Sequence, residues 1–361
     1  TADNCSVASV VSNAPSIFPL GNTTVTWTVT DGSGNTATAT QIVTVTDNQN
    51  PTITAPANVS TAADAGICSA SNVILGTPVT ADNCTTTTFS NNAPASFPLG
   101  TTTVTWTVTD GSGNIASATQ TVTISDNQNP TITAPANVTS VADAGSCTAS
   151  NVSLGTPATA DNCSVASVVS NAPTTFPLGN TTVTWTVTDG SGNTATATQT
   201  VTVTDDQNPT ITAPANVTTV ADNGSCSASN VSLGTPATAD NCSVASVVSN
   251  APSIFPLGNT TVTWTVTDGS GNIASATQTV TVTDNQAPVI TFSCNDANTL
   301  TYNPGDCGAI FNYTVSTSDN CSGTISLTRT LGLASGSSFP LGITTVTYTA
   351  VDANGNTSSK S

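Results

Sequence analysis

The side chains in this sequence that could do chemistry are aspartates and cysteines. The acidic loop Asp-Gly-Ser-Gly-Asn, first seen at residues 31–35, offers the oxygen donors of a calcium loop. An EF-hand needs glycine at its sixth position and glutamate at its twelfth, but Thr36 stands sixth and the sequence contains no glutamate. We therefore predict a tight turn in which both glycines adopt positive φ, while Asp31 and Asn35 bond to the local backbone.

A second acidic motif, "TDNQNPTI", recurs along the chain and bunches oxygen donors beside a proline. Calcium takes six to eight oxygen ligands, and the loops "ADNC" and "DGSGN" would add some if they reach this junction. The candidate calcium ligands are Asp47, Asn48, Asn50, Asp126, Asp205, Asp206 and Asp284. The alternative is a short polar linker that Pro51 and the Asp and Asn caps stiffen without an ion. Calcium at these junctions is therefore a hypothesis, and no other cofactor is required.

The cysteines recur in pairs that are 16 residues apart, or 14 in the last case. A chain without histidine and with one cysteine pair per repeat lacks the four ligands of an ordinary zinc site. We therefore predict one disulfide within each repeat, pairing Cys68 with Cys84, Cys147 with Cys163, Cys226 with Cys242, and Cys307 with Cys321. Disulfides persist in oxidising compartments, so the chain is expected outside the cytoplasm.

The charge balance excludes several functions. The chain has 361 residues with 2 Lys+Arg, 20 Asp+Glu and no His, for a formal net charge of −18. Nucleic acids and anionic membranes need Lys and Arg to neutralise phosphate, so neither is an expected partner. No apolar run approaches the roughly 18 residues of a spanning helix, so we expect no membrane insertion. Without His or Glu the usual catalytic bases are missing, and we predict no catalytic residue and no enzyme activity.

The chain is a tandem array with a period of 79 residues, which separates Trp27, Trp106, Trp185 and Trp264. This period exceeds that of solenoid repeats, so each repeat should be a domain with its own core, like a bead on a string. Residues 47–125, 126–204 and 205–283 are predicted to be complete repeats. Residues 1–46 are expected to be the C-terminal part of a repeat, and 284–361 a diverged repeat that is incomplete at its C-terminal end.

Each repeat shows the alternation of β-strands. In "NTTVTWTVTD" the residues Val183, Trp185 and Val187 share one face, and threonines occupy the other. Residues 194–204 repeat the alternation, and the Asp-Gly-Ser-Gly-Asn turn joins the two as a hairpin. Further short strands are predicted at 131–134, 137–141, 150–154 and 165–170. About seven short strands in about 80 residues indicate an all-β, immunoglobulin-like sandwich with the tryptophan in its core.

These motifs together resemble a known family. The run from "PTITAPANV" through "GTPATADNC" to "FPLGNTTVTWTVTDGSGNTATAT" resembles the HYR (hyalin repeat) domain, an immunoglobulin-like extracellular module related to adhesion. The resemblance rests on the joint spacing of Pro130, Cys147, residues 161–163, residues 176–179, Trp185 and residues 189–193. It implies adhesion or spacing rather than chemistry. Long arrays of such threonine-rich repeats also resemble the giant surface adhesins of gliding bacteria.

We therefore predict a structural stalk or filament segment of an extracellular cell-surface adhesin, which spaces an adhesive tip from the cell. Its partners would be neighbouring repeats of the same chain, with the cell-surface or substratum ligand held by regions outside residues 1–361. Two alternatives stay open: a self-polymerising filament subunit, in which an exposed strand edge pairs with the next chain, and a repeat that itself binds a ligand through its end loops.

Overall fold

The computed structural model describes residues 1–294, 298–301, 305–321 and 323–361. These residues form 34 strands, and no helix occurs among them, so the all-β prediction is confirmed. No described element could cross a membrane as an apolar helix. The chain divides into two compact units: Thr1–Asn137 with Leu154–Ala172 and Thr182–Thr200, and Val138–Ser153 with Pro173–Thr181 and Val201–Ser361.

The strands recur with the sequence period. Residues 1–46 form β1 (Val7–Ser12), β2 (Gly21–Asp31) and β3 (Thr36–Val45). The 47–125 repeat forms β4 (Thr52–Thr54), β5 (Val59–Ala62), β6 (Ser69–Ser71), β7 (Val79–Ala81), β8 (Thr88–Asn91), β9 (Ser96–Pro98), β10 (Gly100–Thr109) and β11 (Ile115–Ser125). The 126–204 repeat forms β12 (Thr131–Thr133), β13 (Val138–Val141), β14 (Thr148–Ser150), β15 (Ala158–Ala160), β16 (Val165–Ser170), β17 (Thr175–Pro177), β18 (Gly179–Asp189) and β19 (Thr194–Thr204).

The remaining residues continue the same series. The 205–283 repeat forms β20 (Thr210–Thr212), β21 (Val217–Val220), β22 (Ser227–Ser229), β23 (Ala237–Ala239), β24 (Val244–Ser249), β25 (Ile254–Pro256), β26 (Gly258–Asp268) and β27 (Ile273–Thr283). Residues 284–361 form β28 (Val289–Phe292), β29 (Gly308–Ile310), β30 (Val315–Ser318), β31 (Ser326–Leu331), β32 (Ser338–Pro340), β33 (Thr347–Val351) and β34 (Thr357–Lys360).

Each complete repeat is built around one long hairpin. In the 47–125 repeat β10 and β11 pair antiparallel from Gly100↔Ile124 to Thr109↔Ile115. They lie at the centre of a four-stranded sheet of order β5-β11-β10-β8, in which β5 runs parallel to β11. Two short ladders, β4-β7 and β6-β9, supply the second layer. The 205–283 repeat has the same order, β21-β27-β26-β24, with ladders β20-β23 and β22-β25.

The core lies on the valine and tryptophan face of the long hairpin, because alternate side chains of a strand point to opposite faces. In the 47–125 repeat it contains Ala70, Phe97, Val104, Trp106, Val122 and Ile124. Trp106 is 3% exposed, which confirms the tryptophan as a core residue there. In residues 1–46, where β1, β2 and β3 form a three-stranded sheet, Trp27 is 42% exposed. The tryptophan is therefore buried where short ladders cover the hairpin.

The short strands were harder to predict than the hairpin. Strand β16 has the predicted bounds, and β12 and β13 fall within the predicted segments. The segment predicted at 150–154 is wrong for most of its length, because β14 ends at Ser150 and Asn151 adopts φ 53°. Strands β15 and β17 were not predicted at all. Strands of three residues carry too little alternation to be recognised from the pattern alone.

A buried glutamine holds the two layers together, and the sequence analysis missed it. Trp185 Nε1 donates to Gln199 Oε1 at 3.1 Å. Gln199 Nε2 in turn donates to the carbonyl oxygens of Ala136 at 2.7 Å and Leu154 at 2.9 Å. Gln199 is 1% exposed, and the same bonds recur at Gln120 and Gln278. A buried amide is tolerated here because its donors and its acceptor are all paired.

Candidate functional site: the joints between repeats

The Asp-Gly-Ser-Gly-Asn loop forms the predicted hairpin turn. Asp189 Oδ1 accepts from the backbone N–H groups of Ser191 at 2.9 Å and Asn193 at 2.8 Å, and Asp189 Oδ2 accepts from Asn193 Nδ2 at 2.8 Å. Gly192 has φ +94°. Burial acts to raise the pKa of the Asp189 carboxyl, but these hydrogen bonds outweigh it, so its pKa lies below the ordinary value. The carboxylate therefore stays ionised at neutral pH.

The turn also reaches the start of its own repeat. Asn193 Nδ2 donates to the carbonyl oxygen of Asp126 at 3.1 Å. The same bond recurs from Asn114 to Asp47, from Asn272 to Asp205 and from Asn356 to Asp284. The expectation that the "DGSGN" loop approaches the junction motif is confirmed.

The junction aspartate meets a second aspartate from the "ADNC" loop. Asp126 Oδ1 accepts from the Gln128 backbone N–H at 3.1 Å and from Asn162 Nδ2 at 3.2 Å. Asp161 Oδ2 accepts from the backbone N–H groups of Cys163 and Ser164, both at 2.8 Å. One carboxylate oxygen of Asp126, one of Asp161 and the sulfur of Cys163 lie within 4.8 Å of one another.

The same cluster forms at every junction. Its members are Asp47, Asp82 and Asp110; Asp126, Asp161 and Cys163; Asp205, Asp240 and Cys242; and Asp284, Asp319 and Cys321. Four of the predicted calcium ligands, Asp47, Asp126, Asp205 and Asp284, therefore belong to these clusters. Asn48, Asn50 and Asp206 are exposed and belong to none of the clusters formed by the described residues. The sequence analysis had named the "ADNC" loop as a contributor without singling out its aspartate.

The structure corrects the predicted disulfide pairing. Cys68 bonds to Cys163, Cys147 to Cys242, and Cys226 to Cys321, each with a sequence separation of 95. Every described bridge therefore joins one repeat to the next, and the predicted pairs within single repeats, such as Cys147 with Cys163, do not form. Cys84 and Cys307, predicted to bond to Cys68 and Cys321, are free and exposed.

The two cysteines of one repeat cannot meet because they face different neighbours. Cys68 follows the turn at 64–67, where Gly66 N–H donates to Gln128 of the following repeat at 2.8 Å. Cys84 instead follows Asp82, which clusters with Asp47 at the start of its own repeat. A separation of 16 residues suggested proximity, but the sandwich places the two loops at opposite junctions.

Hydrogen bonds reinforce each bridge. Gln128 Nε2 donates to the Asp64 carbonyl oxygen at 3.0 Å, while Gln128 Oε1 accepts from Gly66. Asn162 Nδ2 donates to the Ile67 carbonyl oxygen at 3.4 Å. Gln207, Gln286, Asn241 and Asn320 make the equivalent bonds at the next joints. Each of these joints is therefore one disulfide surrounded by three hydrogen bonds between successive repeats.

Comparison with known proteins identifies the repeats. The family model described as the HYR domain matches residues 46–124, 125–203, 204–282 and 283–361. The chain is 40% identical over 106 residues to hyalin of Strongylocentrotus purpuratus, covering 28% of this chain and 8% of that protein. It is 42% identical over 112 residues to hyalin of Lytechinus variegatus, covering 30% of this chain and 21% of that protein. The chain thus spans less than a quarter of either relative.

Solved structures with some likeness include extracellular cadherin domains. The protocadherin GammaB4 extracellular domain is 15% identical with a TM-score of 0.33, covering 99% of this chain and 77% of that chain. Protocadherin gammaB7 EC3-6 is 12% identical with a TM-score of 0.35, covering 86% and 98%. Likeness at this level carries no argument about function.

Proposed function

The chain belongs to the HYR-domain family, and from that membership we propose that it is a structural segment of an extracellular cell-surface adhesin, spacing an adhesive region from the cell. The observation that carries the proposal is the joint. Cys147 bonds to Cys242 of the next repeat, and the bridges on either side repeat the pattern. A series of covalent clasps between domains is what a segment under tension requires.

The compartment and the chemistry both support this role. Bridges of this kind persist outside the cytoplasm. The relatives named hyalin, together with the link between HYR domains and adhesion, support an adhesive setting. The aspartates of the joints have no histidine or glutamate beside them, so the proposal is a non-enzymatic one. The further resemblance to adhesins of gliding bacteria stays a prediction.

Self-association into a filament is a second candidate, and the edge strands favour it. Strand β16 pairs with β18, and no second strand pairs with β16 among the described residues. Val168 on this strand is 38% exposed and Val169 is 57% exposed. An exposed apolar edge can pair with a strand of another copy. Sedimentation over a range of concentrations would detect this, and Val169→Lys should abolish any association that uses the edge.

Removing one repeat from the full-length protein on its cells tests the spacer role. Deleting residues 126–204 leaves Cys68 facing Cys242, so the array should close around the gap. A spacer then keeps its adhesive strength and loses only reach. Adhesion that disappears while the shortened protein is still displayed at the surface would overturn the proposal and favour repeats that bind ligand themselves.

A further inference from the structure

The acidic clusters at the joints bring carboxylates together without protein cations to neutralise them. At the first junction, oxygens of Asp47, Asp82 and Asp110 lie within 4.8 Å of one another. The whole chain has one arginine and one lysine against its 20 acidic residues. Like charges at this distance repel, and partial burial strengthens the repulsion. A cluster repeated at four junctions therefore needs a source of positive charge.

A second observation points to a bound ion. Asp126 is 5% exposed, and its Oδ2 is shielded from solvent with no hydrogen-bond partner. Asp161 Oδ1, in the same cluster, is also buried and unpartnered. Buried carboxylate oxygens are normally hydrogen-bonded, because leaving one unsatisfied costs free energy. Two such oxygens in one cluster have the character of ligands rather than of hydrogen-bond acceptors.

The unpartnered atoms occur nowhere else in the described part of the chain. The buried side-chain oxygens without a partner are Asp47 Oδ2, Asp82 Oδ1, Asp126 Oδ2, Asp161 Oδ1, Asp240 Oδ1 and Asp319 Oδ1. All six belong to the junction clusters. Their coincidence with these clusters indicates one recurring site rather than scattered packing defects.

The partnered oxygens of the same side chains hold the carboxylates in place. Asp161 Oδ2 is fixed by two backbone N–H groups, from Cys163 and Ser164, and Asp126 Oδ1 by the Gln128 N–H and the Asn162 amide. Each aspartate therefore spends one oxygen on orientation and keeps the other for a ligand. Such support around a ligand is typical of metal sites.

The donor set selects the ion. The sulfur of Cys163 is in a disulfide and is not a thiolate, and the chain has no histidine, which disfavours zinc. Hard carboxylate oxygens suit Ca²⁺, which completes a flexible shell with carbonyl oxygens and water, whereas Mg²⁺ demands near-ideal octahedral geometry. We infer that the junction clusters are Ca²⁺ sites, built from the junction aspartate and the "ADNC" aspartate of each repeat and, at the first junction, Asp110.

The four junctions should differ in affinity. Asp205 Oδ2 accepts from Ser270 Oγ at 3.4 Å, and Asp284 Oδ2 accepts from Asn354 Nδ2 at 3.2 Å, so these oxygens are partly engaged. At the Asp47 and Asp126 junctions two oxygens are free of partners. These two sites should therefore bind more tightly, and the other two more weakly. The inference concerns the joints alone and stands whether or not the chain serves an adhesive role.

Equilibrium dialysis of the oxidised 1–361 chain against CaCl₂ tests the inference. Extracellular modules bind Ca²⁺ with dissociation constants of about 10⁻⁴ to 10⁻³ M, and we expect at least two ions per chain at about 5 mM free Ca²⁺. Asp161→Asn should remove one tight site, because the amide oxygen can still accept from Cys163 N–H while the charge is lost. Asp206→Asn, which changes an exposed acid beside Asp205, should leave the stoichiometry unchanged.

Thermal unfolding supplies a second readout that does not depend on the variants. Ca²⁺ that binds the folded joints should raise the Tm by mass action, and equimolar Mg²⁺ at the same ionic strength should raise it much less. The inference fails if fewer than about one Ca²⁺ binds per chain under these conditions. It also fails if Asp161→Asn and Asp206→Asn lower the stoichiometry equally.

Discussion

Reduction of the disulfides should lengthen the mechanically extended chain by an amount that depends on their pairing. When the chain is pulled from residues 1 and 361, the shortest covalent path crosses each bridge. It runs through residues 1–68, 163 back to 147, 242 back to 226, and 321–361. That path contains about 140 residues, so about 220 residues are shielded from the force at up to about 3.5 Å each.

Single-molecule force spectroscopy on oxidised and reduced chains measures this length directly. The contour length should rise by about 770 Å on reduction, because the shielded residues join the path. Four bridges within repeats would shield only about 62 residues, and reduction would then add about 220 Å. A gain near the smaller value would refute the connectivity between repeats.

A double variant supplies the matched control. Replacing Cys68 and Cys163 by serine removes one bridge, and the oxidised chain should lengthen by about 220 Å because the path must then follow the backbone to Cys147. If each cysteine were bonded within its own repeat, the same variant would open two short loops and add only about 110 Å.

Three further predictions concern the bridge chemistry, the core and the joint loop. Cleavage before aspartate under non-reducing conditions should yield residues 143–160 linked to 240–267 through Cys147 and Cys242, and mass spectrometry would contradict the joint if 143–160 were linked to 161–188 instead. Gln199→Leu should lower the free energy of unfolding by about 3 kcal/mol, since an indole N–H and two carbonyl groups lose their partner; in chemical denaturation, Gln41→Leu should cost much less because that glutamine is exposed. The Asp222 carboxyl has its pKa lowered below 3.8 by hydrogen bonds from the Ser229 side chain and backbone, so its stabilising contribution is present above pH 3.8 and is lost as the pH falls through the folded-state pKa; a carboxyl NMR titration midpoint at or above 3.8 would contradict this.

Much of the fold was predictable from single stretches of sequence. The alternation of valine, tryptophan and threonine in β18 and β19 states which face is buried, because it depends only on the two-residue period of a strand. The glycines of 189–193 announce the turn for a similarly local reason. The 79-residue period predicted tandem sandwiches, since near-identical segments adopt the same fold.

The candidate site was predicted only in part. The sequence identified Asp126 as a junction acid and the "ADNC" loop as a possible contributor, and these do meet. It missed the roles of Gln199 and Gln128, since a glutamine in a threonine-rich chain carries no local signal of burial or of a contact with another repeat. It also chose the wrong cysteine partners, because separation along the chain was taken as a guide to separation in space.

Local pattern and long-range placement thus account for different parts of this protein. The amino-acid sequence by itself determined the all-β class, the repeat length, the core face of the long hairpin and the turn, because each follows from residues that are neighbours in the chain. Only the tertiary structure decided that Cys147 meets Cys242 and that Asp126 meets Asp161. Their separations of 95 and 35 residues are closed by the packing of whole sandwiches, a geometry that no local pattern encodes.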